Sequence, residues 1–197
     1  MSDLLPSELA PRSLLDRIDL ARLRSHAHGL PGTWATAVAC LIDGGALTRD
    51  ADDPAWADRD RLIVGTQRAL PAVRAAFDPV LPPSFQAEPP AAALGVAVEQ
   101  ARMSAAAGEA YRVLCLLDAE SGGQGPVWEA ALAAGRARLS ALVLLVMSAP
   151  VLDAEAMLLA AGWSTLRARH DDPVAVLGAL DRAFGQAGVP HAVLLRA

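Results

Sequence analysis

From Tyr111 onward the chain alternates short apolar runs with segments of helical periodicity. The runs 111–117 (YRVLCLL), 141–147 (ALVLLVM), 163–168 (WSTLRA) and 190–197 (PHAVLLRA) are six to eight residues long. The first two are apolar at consecutive positions, the pattern of strands covered on both faces. Between the runs, 127–139 (VWEAALAAGRARL), 153–162 (DAEAMLLAAG) and 172–188 (DPVAVLGALDRAFGQAG) read as helices. This alternation predicts the α/β class, a three-layer αβα arrangement with a mostly parallel sheet, in a single domain over 1–197. Crossovers of one hand gather the strand-to-helix loops along one edge, where α/β proteins bind ligands.

Upstream the pattern is less regular. Residues 7–27 place Leu14, Leu15, Ile18 and Leu23 at helical spacing, and HGLPG (28–32) ends that segment. TWATAVACLIDGGAL (33–47) predicts a helix with Thr33 as N-cap, stopping at Gly44 and Gly45, so that 1–50 forms a helical part. A polar loop and a short apolar piece, LIVGT (62–66), follow, and the proline-dense stretch 71–92 predicts a loop or a set of turns. The segment 91–110 is an Ala-rich helix with small residues suited to close packing. The apolar helices 33–43 and 91–107 are candidate partner surfaces.

Composition narrows the classes. Mean hydropathy is high, +0.31, yet the longest uncharged apolar stretch, 139–152, holds Pro150 and runs into Asp153. That is too short and interrupted for a membrane span, which needs about 20 apolar residues. The N-terminus carries acids and no basic region before an apolar block, so no secretory signal is expected. Cys40 and Cys115 sit in apolar runs and read as reduced core residues of a cytoplasmic protein. A net charge of −5, with 17 basic residues spread along the chain, argues against a nucleic-acid partner.

Candidate chemistry concentrates in LLDAESGGQG (116–125), where Asp118 ends a strand and glycines follow. Asp118 reads in two ways, as an acid stabilising the turn or as a residual metal ligand. Gly122, Gly123, Gln124 and Gly125 form either a surface loop or an anion-binding nest at the start of the next helix. His26 and His28, two residues apart, do not share a helix face. His170 belongs to a loop in which Asp172 precedes Pro173 as a helix cap, and His191 alternates into a strand. Trp56, Trp128 and Trp163 read as core anchors. No Ser-His-Asp or Cys-His arrangement and no GxGxxG spacing is present.

Several segments resemble transketolases. DPAWADRDRLIV (53–64) resembles the family segment Ser-Trp-Ala-Asp-Arg-Asp-Arg that runs into an active-site histidine motif. Residues 112–146 resemble the strand, Gly-Asp-Gly turn, helix and strand that hold the metal and diphosphate of thiamine diphosphate. Glu129, the Ala134–Gly135 pair and Leu139 match the family's residue types there. EAMLLAAGWSTLRARHDDP (155–173) resembles the following helix, glycine-tryptophan turn and strand.

The resemblance implies the first of the family's three domains, the pyrophosphate-binding one, in shortened form. Because the family's cofactor lies between a pyrophosphate and a pyrimidine domain, it also implies a pyrimidine-domain partner chain, in a dimer or heterotetramer. The departures bear on chemistry. Leu117 and Ala119 replace the two turn glycines, and the metal-binding asparagine falls at Ala149, beside Ser148 and Pro150. Leu30 and Arg68 stand where the family has histidines, and neither buffers a proton near neutrality.

The expectation is therefore a catalytically degenerate subunit of a split complex, with no catalytic residue and no cofactor in the isolated chain. The alternative is an active subunit of a two-component enzyme moving a two-carbon ketol unit, with thiamine diphosphate and Mg²⁺. In that case Asp118 binds the metal, and the amides of Gly122, Gly123, Gln124 and Gly125 hold the cofactor. A third reading is an α/β module with a different small ligand at the same edge.

Overall fold

The computed structural model of the chain describes residues 34–49, 53, 55–76, 85–147 and 154–196. The expected helix over 7–27 and the positions Thr33, His26, His28, Leu30, Ser148, Ala149 and Pro150 lie outside the described residues.

The elements run α1 (Ala35–Ile42), β1 (Arg61–Val64), α2 (Leu70–Ala76), β2 (Phe85–Ala87), α3 (Pro90–Ala107) and β3 (Val113–Asp118). A 3-10 turn (Ala119–Gly123) leads to α4 (Gly125–Ala137), β4 (Leu142–Met147), α5 (Ala154–Ala160), β5 (Ser164–Arg169), α6 (Pro173–Gly185) and β6 (His191–Arg196). The six strands make one sheet in the order β2-β1-β3-β4-β6-β5, and every neighbouring pair is parallel.

Successive strand residues face opposite layers, so each apolar run serves two cores. Leu114 and Leu116 of β3, with Val143 and Leu145 of β4, face α1, α2 and α6. Val113, Cys115 and Leu117, with Leu142, Leu144 and Val146, face α3, α4 and α5. Cys40 and Cys115 thus lie buried in different layers, and burial raises the pKa of Cys115. Among the described residues no helix is long and apolar enough to cross a membrane.

Three local outcomes differ from the sequence reading. The proline-dense stretch contains α2 and β2 rather than loop alone, and α3 begins at its end. Pro71 and Pro90 stand in the first turns of α2 and α3, where a missing N–H and a preset φ cost nothing. Helix α1 is buried on all sides, so it is a core element and offers no partner surface. Helix α3 does expose apolar surface, with Met103 at 65% exposure. Trp56 is 37% exposed in its polar loop and is not a core anchor. Trp163 is one, its Nε1 donating to the Ala131 carbonyl at 2.8 Å from a buried position. Asp172 caps α6, accepting from the amides of Val174 (2.9 Å) and Ala175 (3.3 Å).

His191 opens β6 at 1% exposure, with Nε2 at 3.2 Å from the Gln186 carbonyl and Nδ1 buried without a partner. Burial lowers its pKa, and the Gln186 contact opposes that only in part. The unfolded chain therefore takes up this proton first as pH falls past about 6.5, and stability is lost from there down to the depressed folded value. Thermal melts of wild type and His191→Gln between pH 7.5 and 5 should diverge, the wild type falling more steeply. Parallel curves would show that the imidazole does not couple folding to protons.

Candidate functional site

The two connections that leave β1 and β3 diverge. From β1 the chain enters α2 on one face and continues outward to β2. From β3 it enters α4 on the other face and continues to β4 in the opposite direction. The crevice between the carboxyl ends of β1 and β3 is a topological switch point, where open α/β sheets take ligands.

Asp118, the last residue of β3, stands at this crevice. Its Oδ1 accepts from the Trp34 indole Nε1 at 3.0 Å, and its Oδ2 accepts from the Thr66 hydroxyl. Trp34 is 1% exposed at the entrance to α1, and Thr66 is buried just after β1. The Thr66 Oγ1 accepts in turn from the Arg68 amide at 3.3 Å. Gly65 is a close-approach position: a Cβ there would lie 2.4 Å from Ala93 Cβ and 2.5 Å from Leu117 Cδ2. Leu117 therefore fills the space over the β1 end. Across the mouth, Arg68 Nη2 donates to Glu120 Oε1 at 2.9 Å between two exposed side chains, a bridge worth about 0–1 kcal/mol.

The expected nest residues sit at the entry to α4. The Gln124 amide is committed within the loop, donating to the Ser121 carbonyl at 3.1 Å, and the Gln124 carbonyl accepts from Val127. The Gly122 carbonyl accepts from Trp128 Nε1 at 2.6 Å. Gly123 and Gly125 have open space where a Cβ would stand and no left-handed φ, so the local backbone does not demand glycine at either.

These residues do not fit a hard divalent cation. Such an ion takes several oxygen ligands, whereas both oxygens of Asp118 already receive protein donors and Glu120 is turned to Arg68. Among the described residues no three His, Cys, Asp or Glu side chains stand together in metal-binding proximity. Arg68 joins the crevice as an ion-pair partner. The Asp-Arg-Asp-Arg segment lies elsewhere: Asp60 and Arg61 sit at the amino end of β1, on the opposite edge of the sheet.

Trp34 and Thr66 were missed by sequence reading. The available signal was a Trp opening an apolar helix, whose buried N–H needs an acceptor. Substituting Asp118 by Ala strands that indole N–H and the Thr66 hydroxyl, at a cost of about 1–3 kcal/mol. A melt of Asp118→Ala should therefore drop measurably; an unchanged or higher Tm would mean that the carboxylate is not a structural acceptor.

Beneath the 3-10 turn, facing α3, α4 and α5, lies a narrow apolar cleft with room for little more than one water. Asp118, Ser121 and Gly122 are its polar margin.

The sequence matches no family model and no curated protein. In structure it is similar to the transketolase of Campylobacter jejuni, with a TM-score of 0.74 at 18% identity over 93% of this chain and 37% of that one. The Leishmania mexicana transketolase gives 0.68 at 16% identity over 93% of this chain and 35% of that one. A Mycobacterium smegmatis protein assigned as a thiamin diphosphate-dependent enzyme gives 0.59 at 17% identity, over 72% of this chain and 29% of that one. The chain thus spans little more than a third of the length of the transketolases it resembles. Its six parallel strands and flanking helices form the α/β fold of the transketolase pyrophosphate-binding domain.

Proposed function

We infer that the chain is a transketolase-fold subunit that has given up its cofactor chemistry and works by pairing with a chain that supplies the pyrimidine-binding domain. The observation that carries this reading is the use of Asp118 as an internal acceptor for Trp34 and Thr66. A metal ligand needs those oxygens turned toward the ion, with further oxygens around it. Leu117 in the space over Gly65 supports the same conclusion, because a diphosphate needs backbone amides it can approach closely. The exposed apolar side chains of α3 and α4, Met103 and Leu132, are the surface offered to the partner. Loss of the chemistry with retention of the fold leaves assembly, stabilisation or regulation of that partner as the role.

The test is native mass spectrometry of the tagged chain drawn gently from its host, with calorimetric titration of the resulting assembly by thiamine diphosphate and Mg²⁺. A complex with a pyrimidine-domain chain, and no cofactor binding that depends on Asp118, is the expected result. Saturable Mg²⁺-dependent binding abolished by Asp118→Ala, in a variant that remains folded, would make the chain an active subunit instead. A chain found alone would overturn the pairing.

A further inference from the structure

We propose that the outward face of α4 pairs with the same face of a second copy of this chain, in an antiparallel contact centred between Leu132 and Ala133. This rests on the reading above, in which Leu132 is offered to a partner: a second copy takes that place while the partner chain is absent. The sequence of α4 puts Glu129, Leu132, Ala133 and Arg136 on one face, at offsets of three, four and seven residues from the glutamate. Leu132 is 44% exposed, Glu129 and Arg136 are exposed, and Ala133 is half-buried. The opposite face, made of Val127, Ala131, Ala134 and Gly135, is buried.

The charges decide the occupant. Glu129 and Arg136 stand two turns apart, about 10 Å along the helix axis, too far to pair with each other. Every ion pair formed among the described residues uses other side chains. The face therefore reads acid, apolar, base, and an antiparallel copy reads it in reverse. A two-fold axis crossing α4 at its midpoint sets Glu129 of each copy against Arg136 of the other, so one contact yields two identical ion pairs. The same axis brings Leu132 beside Leu132 of the second copy and covers its apolar surface. At the ends, Gly125 comes opposite Ser140, both exposed and small, so nothing bulky holds the helices apart. A parallel pairing would instead set Glu129 on Glu129 and Arg136 on Arg136, and like charges facing one another across an interface are strongly unfavourable. The order of charges thus selects both the copy and its direction.

Sedimentation equilibrium of the purified full chain is the test. A reversible dimer is expected by about 100 μM, where a contact of micromolar Kd is well populated. Glu129→Arg sets arginine against Arg136 at both ends of the contact, and should weaken the dimer by about tenfold or more. Arg136→Glu should do the same with two acids. Both exchanges in one chain restore opposite charges, and the dimer should return. The two positions are exposed, so the variants should keep the wild-type fold, which circular dichroism checks. A chain that stays monomeric, a dimer indifferent to the single reversals, or a double variant that stays apart overturns the proposal. The functional reading fails separately. A monomeric chain that still brings a pyrimidine-domain chain out of its host sinks the homodimer and leaves that reading standing. A charge-sensitive homodimer that comes out of its host without such a chain does the reverse.

Discussion

Replacing Asp60 by alanine is expected to destabilise the chain by about 3–5 kcal/mol, the range for removing one partner of a buried ion pair. For a domain of this size that corresponds to a fall in Tm of roughly 10 °C. Asp60 is 2% exposed and accepts from the Thr48 amide at 2.7 Å, the Arg112 amide at 2.7 Å and the Arg112 guanidinium. The same guanidinium donates to the Ala46 carbonyl and the Thr48 hydroxyl, each at 2.9 Å, and stacks 3.8 Å above the Phe184 ring. One carboxylate thus ties the loop before β1 to the start of β3 and, through Arg112, to α6. Its loss strands a partly buried cation and two amides, which apolar packing cannot satisfy. Urea denaturation should show the drop, and Arg112→Met on the Asp60→Ala background should recover part of it, because the stranded charge is then gone. A single-variant loss below about 1 kcal/mol would reduce the network to surface electrostatics.

The second large effect is expected at Gly135. A Cβ there would stand 1.7 Å from the Ala161 carbonyl oxygen and 2.9 Å from its carbon, both backbone atoms of the turn between α5 and β5. Alanine is ordinarily better than glycine inside a helix by up to about 1 kcal/mol, but here α4 would have to separate from that turn. Overpacking of this kind costs about 1–3 kcal/mol or more, and a net loss of about 2 kcal/mol should appear in the denaturation midpoint of Gly135→Ala. Gly178 in α6 supplies the opposite sign. Nothing lies within 4 Å of its would-be Cβ, so Gly178→Ala should gain roughly 0.5–1 kcal/mol. If both variants shifted the same way, the close approach of α4 to the turn would not be the cause.

The sequence was most informative where one periodicity dominated. From β3 onward each expected run is a strand, with β3, β4 and β6 buried on both faces and the edge strand β5 only partly covered, and each element was found within a few residues of its expected bounds. The same logic failed where composition stood in for geometry. An apolar helix was read as surface at 33–43, yet α1 is enclosed by α2, α6 and the sheet. Prolines were read as loop, although in the first turn of a helix they are compatible with the backbone. At the candidate site, Asp118 and its glycines were legible because strand, acid and turn are contiguous. The partners that decide what the acid does were not: Thr66 and Trp34 are brought to it only by the sheet, and no local pattern announces them.

The junction at Asp118 also bears on how the chain reaches this structure. It joins residues 84 positions apart through Trp34 and 52 apart through Thr66, so the first bond waits for α1 to reach the end of β3 and the second for β1 to lie beside β3. Parallel pairing of this separation closes long loops before any contact rewards it, and such contacts slow folding. Trp34 should therefore enter its buried environment late, after the local αβ units from β3 onward have formed. Burial of Trp34 should thereby report the last stage of folding.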